Sequence, residues 1–96
     1  MHAVVRTYSG KGAKELFDLL EEHKDEAETL MRSVNGFVSY SLARTADGGF
    51  SVSVFGDKVG ADQSTKMARE WIVKNAPDIP VSPPAVSEGE LFLFLK

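Results

Sequence analysis

The chain has 96 residues, 43% of them hydrophobic and 26% charged, with no cysteine and a formal net charge of −3. That length predicts a single domain over residues 1–96 and leaves no room for two. Scattered lysines and arginines argue against nucleic-acid binding, which needs a basic patch, and the lack of cysteine excludes disulfide and thiolate chemistry. No stretch reads as a signal peptide, and the longest apolar run, Leu91-Phe92-Leu93-Phe94-Leu95, is too short to span a membrane. The expected compartment is the cytoplasm.

Ala3 to Tyr8 is short, β-branched and aromatic, and stops at Ser9-Gly10-Lys11-Gly12, which predicts a strand and a turn. From Ala13 the period changes. Leu16, Leu20, His23, Ala27, Leu30 and Val34 recur at alternating steps of four and three, the spacing of one helix face. One continuous helix is expected, closed by Asn35-Gly36. Its acidic residues from Glu21 to Glu28 are read as a solvated face.

Phe37 to Arg44 and Phe50 to Gly56 predict a hairpin around Asp47-Gly48-Gly49. With Asp47-Gly48 as the turn, Ala43 would pair with Val52 and Ser41 with Val54. Phe37, Ser39 and Phe50 would share their face, and Tyr40, Leu42, Arg44, Ser51, Ser53 and Phe55 the other. Asp57 can cap a second helix from Lys58 to Asn75, although Gly60 weakens its first turn, which leaves Asp62 as an alternative start. Pro77, Pro80, Pro83 and Pro84 make a stiff connector. A last strand from Val86 to Leu95 is apolar on both sides at its end, as in a strand buried on both faces.

Two strand-helix-strand halves give an α+β, ferredoxin-like βαββαβ fold with a four-stranded antiparallel sheet. Two helices cover one face of such a sheet, yet the strands are apolar on both. A homodimer packed sheet against sheet is the expected solution.

The segment Val34-Asn35-Gly36-Phe37-Val38-Ser39-Tyr40, opening the second strand after the long helix, resembles the corresponding stretch of antibiotic-biosynthesis monooxygenases. Arg44 before the turn fits as well. The element order resembles the dimeric α+β barrel superfamily that contains them. This resemblance implies a cavity between helices and sheet, with chemistry ranging from cofactor-free quinone-forming oxygenation to haem degradation. The chain departs from haem-degrading members: Arg6-Thr7-Tyr8 stands where they carry a first-strand Asn, the second helix has no His, and Phe55-Gly56-Asp57 lacks the Trp many relatives place there.

His23 lies on the apolar stripe, so its ring should point toward the sheet, where it could act as a base; it could equally be a core histidine with one partner. Trp71 and Met67 could line an aromatic ligand cavity or simply belong to the core. Tyr8 and Arg6 share one side of the first strand. With Tyr40 and Arg44 they could bind an anionic or phenolic ligand or lie at the dimer interface, and the hairpin register favours the interface. No phosphate loop, zinc set or nucleophile elbow is visible, and His2 is placed at a frayed terminus. The expectation is a cofactor-independent, monooxygenase- or isomerase-like enzyme acting on an aromatic or hydrophobic metabolite. Its catalytic residue would be His23, and its ligand-binding residues Arg6, Tyr8, Met67 and Trp71, with no metal and no other cofactor. The alternative is a non-catalytic homodimer that binds a ligand or partner protein.

Overall fold

In a computed structural model, all residues from Met1 to Lys96 are described. The elements are β1 (His2–Ser9), α1 (Ala13–Glu22), α2 (Lys24–Arg32), β2 (Phe37–Thr45), β3 (Gly48–Phe55), α3 (Lys58–Asn75) and β4 (Ala85–Glu90). The strands form one antiparallel sheet in the order β2-β3-β1-β4. The helices pack on the face that carries Val4, Tyr8 and Phe55. This is the ferredoxin-like fold. No helix is long and apolar enough to cross a membrane.

The core is divided between two clusters. Val4, Met31, Val34, Phe55 and Ala61 form one, with Met67 and Phe37 packed against it. Tyr8, Ala13, Leu16 and Phe17 form the other, which Leu42, Ile72 and Val81 flank. Asp57 caps α3 as expected, its Oδ1 accepting from the Gly60 N–H at 3.0 Å. The helix starts at Lys58 and not at Asp62, with Gly60 in its first turn. A Cβ there would lie 2.7 Å from the Asn35 carbonyl oxygen, so the glycine lets the helix close against the loop before β2.

Four expectations are corrected. The long helix divides at His23, whose φ of −111° and ψ of 27° leave the helical region. No glycine or proline marks the break; its effect is that α1 follows β3 while α2 follows β2. The hairpin turn is Ala46-Asp47, with Thr45 opposite Gly48 and Ala43 opposite Phe50. Its glycines serve packing instead. A Cβ on Gly49 would collide with the Phe17 ring, and one on Gly48 with the Tyr8 carbonyl. Every partner moves by two residues, which preserves the faces of the hairpin. The exception is Phe37: an irregularity at Val38 turns its ring onto Phe55, 6.1 Å away.

β4 ends at Glu90, and it is an exposed edge strand rather than one buried on both faces. The apolar run that follows lies outside the sheet, with Phe92 98% exposed. His2 belongs to β1 and bonds Glu88 at 2.8 Å, so it is not frayed.

Gly49→Ala should cost about 1–3 kcal/mol of unfolding free energy, because a methyl group cannot fit between Phe17 and the Ala43 carbonyl. Gly89→Ala, with nothing within 4 Å of the added carbon, should stay within about 0.5 kcal/mol of the parent. Urea denaturation of the two variants checks both.

Candidate functional site between the helices and the sheet

Alternation along β1 aims Val4, Arg6 and Tyr8 at the helices, all three buried. β3 pairs with β1 so that Ser51 stands opposite Arg6 and Ser53 opposite Val4. The Arg6 guanidinium, with the residue only 2% exposed, therefore sits on two strand hydroxyls with α3 above it. Its Nη1 donates to Thr65 Oγ1 at 2.7 Å, its Nη2 to Ser53 Oγ at 3.3 Å and its Nε to Ser51 Oγ at 3.4 Å. All three acceptors are neutral, and no carboxylate pairs with Arg6.

Arg6 stands at the junction of two open spaces. A narrow cavity of about 30 Å³ is lined by Arg6, Tyr8, Tyr40, Leu42, Trp71, Ile72 and other mostly apolar residues. A water molecule needs roughly 10–15 Å³ on this measure, so the space is a waist and not a chamber. Beside it, a cleft of about 340 Å³ opens between α3, β1, β4 and the proline connector; Arg6, Tyr8 and Ile72 line both. A second cleft of about 340 Å³ lies between α2 and β2, sharing Ala27, Met31, Tyr40 and Leu42 with the waist. Together the three spaces form a seam through the helix–sheet layer.

The polar groups of the waist are Arg6, Ser51 and two phenols. Burial pushes the Tyr8 phenol above its ordinary value, while Arg6 and then Arg69 pull it back. Burial also raises Tyr40, against Arg6, and the neighbouring Tyr8 adds to the rise. No buried side-chain polar atom lacks a partner. The two phenol hydroxyls, which bond no protein group, thus keep contact with the open space. They can donate to a ligand oxygen.

Of the residues singled out in the sequence, Arg6, Tyr8 and Trp71 come together around the waist. Met67 does not; it packs against the Val4–Phe55 cluster. His23 does not either, and its ring does not point at the sheet. With its side chain 41% exposed, it stands at the helix break, edge-on to Trp71 at 6.0 Å and 3.5 Å from Glu26. Tyr40 faces the waist, not the outer surface where the hairpin register had suggested it would lie. Arg44 is neutralised by Asp18 at 3.0 Å and Glu21 at 3.4 Å, away from Arg6.

Sequence reasoning missed Glu26. Placed on the solvated face of the helix, it accepts from Trp71 Nε1 at 2.8 Å and so ties α2 to α3. Neither periodicity nor charge pattern signals a bond across 45 residues. The positions of Ser51 and Ser53 were legible, since they share their side of β3 with Phe55.

No protein-family model matches the chain, and no curated protein matches it by sequence. Solved structures do match. A protein of unknown function from Nitrosomonas europaea superposes with a TM-score of 0.70 at 17% identity, covering 99% of this chain and 91% of the other. The haem-degrader MhuD from Mycobacterium tuberculosis, with two haems bound in its active site, gives 0.69 at 11% identity over 100% of both chains. A monooxygenase from the gene ActVA-Orf6 of Streptomyces coelicolor, in complex with nanaomycin D, gives 0.62 at 17% identity, covering 99% and 89%. The last two are members of the dimeric α+β barrel superfamily. What is shared is the fold.

A haem does not fit the residues present. Both histidines lie outside the waist lining, so no imidazole faces the space a haem iron would need. No group of three or more His, Cys, Asp or Glu side chains is placed to hold a metal ion.

The chain has two tyrosines, so their ionisation can be followed by ultraviolet absorbance without interference from others. The folded protein keeps both phenols protonated at pH values where an unfolded chain, near the ordinary value of 10.0, releases its protons. Stability is therefore unaffected by these groups below pH 10 and falls as pH rises above it. A titration showing no tyrosinate until the protein unfolds is the expected result, and tyrosinate appearing in the folded protein below pH 10 would contradict it.

Proposed function

We propose that the protein binds a small aromatic or hydrophobic molecule in the seam between its helices and its sheet, as a homodimer, and acts on it without a cofactor in a monooxygenase- or isomerase-like reaction. The observation that carries this reading is the placement of Arg6. A buried cation without a counter-charge, beside two phenol donors and an apolar wall, is poised for a molecule that develops negative charge. Both kinds of reaction pass through such a species, a phenolate or an enolate. Tyr8 and Tyr40 donate to its oxygen, the field of Arg6 stabilises it, and Trp71 forms the apolar wall. In this reading His23 acts at most through Trp71, whose edge its ring touches. The monooxygenase with nanaomycin D bound supports the reading by fold alone.

Trp71 is the sole tryptophan, so its fluorescence reports occupancy of the waist. A naphthohydroquinone should quench it, and oxygen uptake should follow in air. Tyr8→Phe should slow that uptake by roughly a hundredfold, the lower end of general acid–base contributions. His23→Ala should leave binding within about twofold; a loss of turnover comparable to that of Tyr8→Phe would make His23 the base instead.

The narrowness of the waist favours a second reading, in which the protein binds its ligand and catalyses nothing. Quenching without oxygen uptake or isomerisation would select it.

The homodimer rests on what the helices leave uncovered. Val5 and Val52 pair on the sheet face away from them, and Phe92, Leu93 and Leu95 are exposed beyond β4. Apolar groups in such number normally mark an association surface. Sedimentation equilibrium at micromolar concentration should give twice the chain mass of 10.5 kDa. Val5→Glu should shift the population toward single chains, and a parent protein already at 10.5 kDa would refute the dimer.

A further inference from the structure

Of the four arginines, two have carboxylate partners: Arg32 bonds Glu28 at 2.8 Å, and Arg44 reaches Asp18 and Glu21. Arg6 and Arg69 have none. Those two line the same 340 Å³ cleft, and neither aspartate nor glutamate is among its lining residues. In a chain of net charge −3, a cleft holding two cations and no anion is a local reversal of sign.

We propose that this cleft is a carboxylate subsite, in which Arg6 and Arg69 grip the carboxylate of a small molecule whose apolar body rests against Val73, Val81 and Val86. The proposal rests on the reading that the seam takes a small apolar molecule, and it names the group that anchors it. Four observations support it besides the missing counter-charge.

The guanidinium of Arg6 has five N–H donors, of which Thr65, Ser53 and Ser51 engage three. The planar fork that remains matches a carboxylate better than a spherical ion. Tyr8 lines the same cleft as both arginines and lines the waist with Arg6, so both charges border the space that the phenol reaches. The rest of the wall is aliphatic and proline-rich, including Ile72 and Pro83. Such a wall suits a hydrocarbon or aromatic body and offers little to a dianionic phosphate, which would call for more donors. Arg69 is exposed and Arg6 buried, so an entering carboxylate meets the outer cation first and the desolvated one last.

The test uses two probes of one shape, 2-naphthoate and its neutral isostere 2-naphthamide, with calorimetric affinities and methyl-group NMR shifts. Naphthoate should bind at least about tenfold more tightly, the scale of a charge-assisted bidentate pair. Its shifts should fall on Val73, Val81 and Val86. Arg69→Gln, on an exposed helix position, should remove most of the preference while leaving naphthamide affinity within about twofold, and Arg69→Lys should keep part of it. Arg6→Gln should abolish the preference; if that variant does not fold, the Arg69 pair decides alone. Equal affinity for the two probes would overturn the subsite while the seam reading stands. A preference that survives Arg69→Gln, or shifts elsewhere, would overturn the subsite as well. Binding of neither probe would sink both.

Discussion

Burying a guanidinium away from any carboxylate costs several kcal/mol of solvation free energy, and at Arg6 three neutral hydroxyls offset it only in part. An apolar side chain of similar size would pack the layer between helices and sheet without that cost. The arrangement around Arg6 follows from keeping the charge there. Ser51 and Ser53 occupy β3 positions where a core would hold Val or Ile, and Thr65 presents a hydroxyl from α3. Ser51, which lines the waist, fills less volume than a Val or Ile would at that position. The candidate site and the seam through the helix–sheet layer thus meet at one residue of β1.

The sheet divides the remaining demands between its faces. Three helices cover the side with Arg6, and the chain is too short to supply a second layer for the other. A chain of this size conceals only about two thirds of its unfolded surface, so apolar strand positions facing outward have no partner within it. Pairing of copies through that face is compatible with the seam, since the seam opens on the opposite side of the strands. The Leu91–Leu95 run, exposed at Phe92, Leu93 and Leu95, extends from β4, whose Val86 lines the cleft, so the proposed association at the tail and the proposed occupancy of the cleft would both act on one edge strand.

The fold was legible because the hydrophobic period changes cleanly along the chain and because side-chain parity in a hairpin survives a register shift of two. Ser51 and Phe55 could be placed on one side although the turn lies one residue earlier than the Asp-Gly pair implied. What misled the turn assignment was a second use of glycine: Gly48 and Gly49 are small so that Phe17 and the Tyr8 backbone can approach. The break at His23 carried no local signal, since Glu22-His23-Lys24 would continue a helix and only the separate courses of α1 and α2 require it to stop. The run Leu91–Leu95 looked like a doubly buried strand from composition alone, which cannot distinguish burial within a chain from burial against another. In the site, the same-side placement of Arg6 and Tyr8 was readable from alternation. Which side faced the helices was not, and assigning Tyr40 to the outer surface followed from that.

Floor and roof of the seam differ in stiffness. The floor is a ladder of strand hydrogen bonds with β3 and β1 at its centre, each paired on both sides. The roof is made of separate helices, and α2 and α3 are joined across the top by the bond from Trp71 to Glu26. Glu26 is half exposed, so that bond competes with water, and it lies three residues from the non-helical His23. Local opening concentrates where buried contacts are few and backbone bonds are interrupted. Any widening of the waist therefore falls to the roof, at the junction where His23, Glu26 and Trp71 meet. On this view the histidine on the apolar stripe helps set how far the roof can lift, while the groups that would meet a ligand, Arg6, Tyr8 and Tyr40, stay fixed on the strands below.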